Sequence, residues 1–283
     1  MPPRPITRRT FLKTVAQVAA TYTVAGVSGY VYGTEVEASW LEIKRLTLPI
    51  RNLPPAAEGL RLVQLSDFHL RPYTPIAHLR AAVALANQLR PDVTVLTGDY
   101  VTNDAADILE LAPVLGQLNA RLGVFASLGN HDLWTDRHLV TRGLEAAGLP
   151  VLVNRAVALP AGRRGLWLAG LDDSWSGQPD LGAALAGVPA AEPALLLAHE
   201  PDFADDYLRD QRVALMLSGH SHGGQIRLPG YQFLLPPHGR KYDRGLYRVH
   251  DRWLYTNAGL GLAVVGLRLF CRPEITEITL SAA

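Results

Sequence analysis

The sequence predicts an α/β protein built in layers, and three features carry that prediction. Apolar runs of strand length recur after Trp40, and each turns polar at its C-terminal end. Segments with apolar residues at helical spacing lie between the first of these runs. At 283 residues, with 48% hydrophobic and 19% charged side chains, the chain is long enough to bury the core that such layers need.

In chain order the strand-length runs are LRLVQLSD ending at Asp67, DVTVLTGD ending at Asp99, and LGVFASLGNHD ending at Asn130-His131-Asp132. They continue with GLWLAGLDD to Asp172-Asp173, ALLLAHE to His199-Glu200, VALMLSGHSH to His220 and His222, and RWLYTNAGLG around Asn257. The first helix-like segment, PIAHLRAAVALANQLR, sets Ile76, Leu79, Val83, Ala86 and Leu89 on one face, and Pro91 closes it. DAADILELAPVLGQLNA and DRHLVTRGLEAAG read the same way, the second stopped by Gly148. In open α/β sheets ligands bind outside the carboxyl ends of the strands. The polar ends therefore converge on one edge.

Composition narrows the chemistry at that edge. A net charge of +1 gives no footprint for nucleic acid, so no nucleic-acid partner is expected. A single cysteine, Cys271, excludes an internal disulfide framework and a thiolate zinc site. Any metal must be held by His, Asp, Asn or Glu, which suits Mn, Zn or Fe better than copper. LSGHSHGGQ sets His220 and His222 two apart among glycines, which suits a metal or anion site. With Asp67, His69, Asp99, Asn130, His131 and His199, the candidates are too many for one tetrahedral ion and about right for two ions sharing a carboxylate.

Asp67-Phe68-His69, Gly98-Asp99, Gly129 to Asp132, His199 and Gly219 to His222 resemble, in order, the motif set of the calcineurin-like metallophosphoesterases. GGQIRLPG, KYDRGLY and RPEITEITL are further similar to an exported, YkuE/YaeI-like branch, so the resemblance covers nearly all of the chain after the N-terminal segment. It implies a four-layer α/β/β/α sandwich and two divalent metal ions. One ion would take Asp67, His69, Asp99 and His222; the other would take Asp99, Asn130, His199 and His220. His131 would lie over the substrate phosphate as the catalytic side chain. The implied reaction is attack of a metal-bridging hydroxide on a phosphoester, with a cell-envelope or lipid-linked substrate in view. Two rivals stand beside an exported phosphodiesterase. One is a pyrophosphatase of the UDP-2,3-diacylglucosamine type, which export disfavours because such nucleotides are cytoplasmic. The other is a non-catalytic binding protein on the same fold, disfavoured by the full ligand set and His131.

The N-terminus reads as an address. TRRTFLK (Thr7 to Lys13) precedes about twenty uncharged residues and resembles a twin-arginine export motif. Residues 1–38 are expected to be that signal, with Val36-Glu37-Ala38 as a cleavage site, and 39–283 the phosphoesterase domain. An uncleaved membrane anchor is the alternative, with the Tat export machinery and the membrane as partners and a periplasmic or extracytoplasmic location.

Other residues get plainer expectations. Asp132 is expected to orient His131, Asp172 and Asp173 to support the site without ligating, and Asn257 at the last strand end to be structural, with lining the pocket as the alternative. Ala258 stands where related sequences often place an arginine. LPGYQFLLPPHGRKYDRG is expected either to pack as a hairpin or to form a lip whose Arg240 and Lys241 meet anionic groups. His78, His138 and His250 read as surface or helix residues, and Cys271 as a small buried one.

Overall fold

The structure is a computed structural model describing residues 7–160, 165–228 and 230–283. Helix α1 (Arg8–Val31) comes first, capped where Thr7 Oγ1 accepts the N–H of Thr10. The body continues with β1 (Glu42–Ile50), β2 (Arg61–Leu65), α2 (Ile76–Gln88), β3 (Val93–Thr97), α3 (Ile108–Leu115), β4 (Val124–Ser127) and α4 (Asn130–Ala146). Then follow β5 (Arg155–Leu159), β6 (Leu166–Gly170), α5 (Leu181–Ala184), β7 (Ala194–Leu197), α6 (Ala204–Tyr207) and β8 (Val213–Ser218). The chain ends with β9 (Arg227–Leu228), β10 (Tyr231–Gln232), β11 (Gly245–Val249), β12 (Arg252–Thr256) and β13 (Glu274–Ala282).

Two sheets form the centre: a five-stranded one in the order β1-β13-β2-β3-β4 and a six-stranded one in the order β11-β12-β8-β7-β6-β5. Strands β2, β3 and β4 run parallel, as do β12, β8, β7 and β6. Strand periodicity divides the side chains between layers. Leu62, Val93 and Val95 of one sheet meet Leu195, Leu197, Leu215 and Leu217 of the other in a shared core. The alternate residues Val63, Leu65 and Leu96 turn to Leu79, Val83, Ile108, Leu111 and Leu144 of α2, α3 and α4. Leu196 and Met216 turn to Ala184, Leu185 and Ala204 on the far side. The result is the expected four-layer α/β/β/α sandwich.

The helices are shorter or longer than their patterns. A 3-10 turn occupies Ala105–Asp107, and α3 ends at Leu115. Helix α4 begins at Asn130, but Asp136 breaks it with φ −152° and recaps it by accepting the N–H groups of His138 and Leu139. The expected start at Asp136 is thus the start of its second part.

The N-terminal segment crosses its expected boundary. No residue of α1 is buried, and among the described residues no helix is long and apolar enough to cross a membrane. Beyond it, however, the carbonyl of Gly33 accepts the N–H of Arg268 at 3.1 Å, and the Glu37 carboxylate accepts that of Cys271 at 2.6 Å. Glu37 and Ala38 are buried. Residues 33–38 therefore pack on the body.

Arg268 is fully buried, and its guanidinium donates to the carbonyls of Gly259 (3.1 Å), Gly261 (2.7 Å) and Cys271 (3.2 Å). Arg268→Leu would leave these acceptors without partners in a dry interior. It should cost about 3 kcal/mol, seen as a melting temperature about 6–12 °C lower.

Candidate metal centre

Each candidate side chain sits just beyond the carboxyl end of a parallel strand. Asp67 and His69 follow β2, Asp99 follows β3, and Asn130 and His131 follow β4. From the second sheet, His199 follows β7, and His220 and His222 follow β8. The edge where the two sheets meet collects all eight. Gln64 ties the sheets together beneath it, donating to Thr97 Oγ1 at 3.0 Å and to the Ser218 carbonyl at 2.9 Å.

The backbone is bent hard to achieve this. Asp67, His69, Asp99, His220 and His222 have φ of 52°, 43°, 56°, 68° and 50°, in the left-handed region that side chains other than glycine avoid. At Gly219 an added Cβ would strike Ser66 Oγ and Asp67 Oδ2. The glycine there is dictated by the approach of the two loops.

Asp67 and Asp99 are buried carboxylates surrounded by imidazoles. Asp99 Oδ2 lies 3.3 Å from His69 Nε2 and 3.1 Å from His199 Nε2. Asp67 Oδ1 lies 3.3 Å from His222 Nε2 and 3.9 Å from His199 Nε2. Burial alone would raise both acids. His222 and then His199 hold Asp67 below the carboxylate range, and His199 and His131 do the same for Asp99. Burial pushes His69 down to about 4 and His220 to about 3, so both rings are neutral and keep a lone pair for a ligand. Burial also disfavours charge on His199, but Asp99 and Asp67 outweigh it and raise that ring.

Backbone carbonyls fix three ring orientations, because a carbonyl can only accept. His199 Nδ1–H donates to Thr97 O (2.6 Å), which leaves Nε2 toward the carboxylates. His220 Nε2–H donates to Pro237 O (2.8 Å), and His131 Nδ1–H to Thr102 O (2.9 Å).

The donor set fits metal ions. His69 Nε2, His199 Nε2 and Asn130 Oδ1 are buried without a hydrogen-bond partner, a cost that cation binding would relieve at the two nitrogens, which lie against Asp99. Ligand atoms fall into compact groups, Asp67-His69-His222 and Asp99-His199-His220, each within 4.8 Å. A third group, His69-Asp99-His131, lies between them. The first two could each hold a divalent ion.

The family model for the calcineurin-like phosphoesterases matches residues 60–224. The chain belongs to that family. It is 35% identical to the metallophosphoesterase YkuE of Bacillus subtilis over 98% of both chains. It is 36% identical to the phosphodiesterase YaeI of Escherichia coli over 97% of this chain and 99% of that one. A more distant relative, the UDP-2,3-diacylglucosamine pyrophosphatase LpxG of Chlamydia muridarum, is 29% identical over 89% of this chain and 92% of its own. The protein is a metal-dependent phosphoester hydrolase.

Several expectations for this phosphoesterase need correction. Asp132 does not orient His131. Its carboxylate accepts the N–H groups of Asp99, Tyr100 and Gly129, each at 2.9 Å, so it clamps the loops that carry the ligands. Burial and the neighbouring Asp99 push its carboxyl up to about 8. The imidazole is oriented by the Thr102 carbonyl, which leaves no trace in side-chain identity. Asn257 takes its structural reading rather than the pocket alternative, buried and donating to Thr276 Oγ1 while accepting from Gly259 N–H. Neither basic residue of the expected lip lines the cleft, the Lys241 ammonium being on the Asp205 carboxylate at 2.5 Å, whereas its apolar part, Phe233 to Pro236, lines the site.

Asp172 and Asp173 support the phosphoesterase site as expected. Asp172 pairs with Arg137 at 3.1 Å and accepts Gln178 N–H, and Asp173 accepts Ser176 N–H. Together they shape the turn that presents Trp175. His78 is partly buried, its Nε2 3.2 Å from Leu260 O, and Cys271 is buried. Trp134, Trp175 and Thr102 are the site residues that sequence reasoning missed. Trp134 had a usable signal, since it lies one helical turn after Asn130 at the head of α4.

Asp132→Asn replaces one acceptor oxygen with a donor group facing backbone N–H groups. It should destabilise the fold by about 3 kcal/mol in urea unfolding, with no change in the strand content seen by circular dichroism.

Proposed function

We propose that this phosphoesterase is an exported phosphodiesterase whose catalytic unit is residues 39–283. In this reading Asp67, His69, Asp99 and His222 hold one divalent ion. Asp99, Asn130, His199 and His220 hold the other, and Asp99 is shared. The observation that carries it is the convergence of buried, partnerless donor atoms around two carboxylates at one sheet edge. The diesterase assignment draws support from the likeness to YaeI, and export from the twin-arginine stretch Thr7 to Lys13.

Ions bound there would neutralise phosphate oxygens and acidify the attacking water. The protein supplies position and proton control. Asp99 Oδ1 accepts the His131 N–H at 2.9 Å, which sets the head of α4 against the ligands. With Nδ1–H committed to Thr102 O, His131 presents Nε2 to the cleft, where it serves the leaving oxygen. In hydrolysis the water oxygen forms a new bond to phosphorus and gives up a proton to solvent. The bond to the leaving oxygen breaks with its electron pair, and that oxygen takes the Nε2 proton of the imidazolium form of His131, whose ring then regains a proton from solvent. Attack is direct, without a phosphoenzyme.

Chelator-stripped protein should be inactive on bis(4-nitrophenyl) phosphate and regain turnover with Mn(II). His131→Ala should keep the metal content of the wild type while losing about 10²–10⁴-fold, the range for a proton-transfer group, in turnover of a dialkyl phosphate, whose alkoxide leaving group needs the proton. A matching loss of metal would make His131 a ligand instead. For export, Arg8-Arg9→Lys-Lys should leave the protein in the cytoplasm on cell fractionation, and unchanged export would remove the twin-arginine signal from the account.

A further inference from the structure

The cleft over the ligands has a volume of about 350 Å³, and its floor and walls differ in chemistry. The floor is the imidazole and carboxylate cluster. The walls are Trp134, Trp175, the run Phe233 to Pro236, and Ala263-Val264. Among the described residues no lysine or arginine lines it. Of the basic side chains on the surrounding loops, Arg137 holds Asp172, Arg227 holds Asp243 and Lys241 holds Asp205, while Arg240 is exposed and does not line the cleft. The neutral polar groups of the wall are also engaged. Gln225 donates to the carbonyls of Val265 and Leu267 and accepts Ala263 N–H, while Ser221 Oγ donates to Asp243 O.

The aromatic wall is fixed in place. The Trp134 ring lies 4.8 Å from that of His131 and 5.0 Å from Trp175, which in turn lies 5.8 Å from His220. Trp134 Nε1–H donates to Ser176 Oγ at 2.7 Å. Yet Trp134 remains 52% exposed, Phe233 58% and Val264 63%, so the apolar surface runs from the floor out over the rim. Backbone bonds extend that rim: Phe233 N–H donates to Ile226 O, and Arg227 N–H to Leu269 O, beside the exposed Phe270.

We propose that the cleft takes a phosphodiester carrying one long aliphatic chain, laid against Trp134, Trp175, Phe233 and Val264. This rests on the phosphodiesterase reading and names its substrate class. A diester brings one negative charge, which the floor can meet. A nucleoside pyrophosphate brings further charges and sugar hydroxyls to walls that, among the described residues, offer no cationic side chain, and pays much of their desolvation without return. An alkyl chain gains from the same walls through burial of its methylenes.

Three diesters with one leaving group test this on the Mn(II)-loaded full chain: 4-nitrophenyl methyl phosphate, 4-nitrophenyl octyl phosphate and the 4-nitrophenyl ester of thymidine 5′-phosphate. Nitrophenolate departs from each, and the other arm stays on the product. The octyl ester should exceed the methyl ester in kcat/KM by about tenfold or more, the gain from burying about two methylenes, and the thymidine ester should not. Phe233→Ser should bring the octyl-to-methyl ratio toward one. Independently of turnover, the ester-free anion methyl(octyl)phosphinate should bind the wild type at least about tenfold more tightly than Phe233→Ser in tryptophan fluorescence titration. Methyl ester turnover with a ratio near one, or a ratio untouched by Phe233→Ser, overturns the chain-binding proposal alone. A preference for the thymidine ester overturns it in favour of nucleotides. Hydrolysis of none of the three overturns the phosphodiesterase reading itself.

Discussion

Two carboxylates, Asp67 and Asp99, are kept ionised at the point where two sheets meet, and the rest of the structure answers to that. An isolated charge in such a place is costly, so each acid must be surrounded by groups that favour its charged form. Imidazoles do part of this, and backbone N–H groups do the rest: His220 N–H points at Asp67 from 2.9 Å, and His131 N–H at Asp99 from the same distance. Donors that close require loops from different strands almost in contact. An added Cβ at Gly129 would meet Asp99 Oδ1 and His199 Cε1, and one at Gly219 would meet Asp67 Oδ2. The glycines of the motifs and the left-handed backbone of five ligand-bearing residues follow from this crowding.

The same crowding explains what could be read from the sequence. A parallel strand buried on both faces must be an apolar run, and a polar residue must end it, so the interior strands and their terminal ligands were legible. β1 and β13 were not anticipated as strands. β1 is an edge strand with only Leu48 and Ile50 buried, and Lys44 and Arg45 confine its apolar alternation to the short stretch from Leu46 to Ile50. β13 lies between β1 and β2 and buries Glu274, whose carboxyl accepts the Tyr255 hydroxyl at 2.7 Å, so charge in EITEITL masks an interior strand. The candidate metal site was legible as a set of residue types, but its orientation was not. Asp132 sits next to His131 in sequence while its carboxylate turns to the amides of Asp99, Tyr100 and Gly129. Adjacent residues at a helix start point in different directions, and only the fold decides which amide each can reach.

The chemistry of the cleft walls lies further from what residue identity reveals. Trp134 enters from α4, Trp175 from the turn after β6, and Phe233 from the segment after β10. They become one surface because ring contacts and the Asp172-Asp173 turn bring them together. An exposed tryptophan in an isolated stretch of sequence is unremarkable; two tryptophans meeting above a buried charge cluster form the wall of a site.

Support for the charge cluster extends to the N-terminal segment. The loop carrying Asp67 is held from below by Leu260 N–H on Ser66 O and Gly261 N–H on Asp67 O. The carbonyls of Gly259 and Gly261 are in turn held by the buried Arg268 guanidinium. Arg268 N–H ends on Gly33 O, and Cys271 N–H on the Glu37 carboxylate. On its other side Cys271 Sγ donates to the carbonyl of the candidate ligand His222 at 3.2 Å. A chain cut between Ala38 and Ser39 keeps every candidate ligand but hands the amides of Arg268 and Cys271 back to water. The boundary expected between residues 1–38 and 39–283 is thus bridged in the fold by hydrogen bonds that lead on to Asp67 and His222.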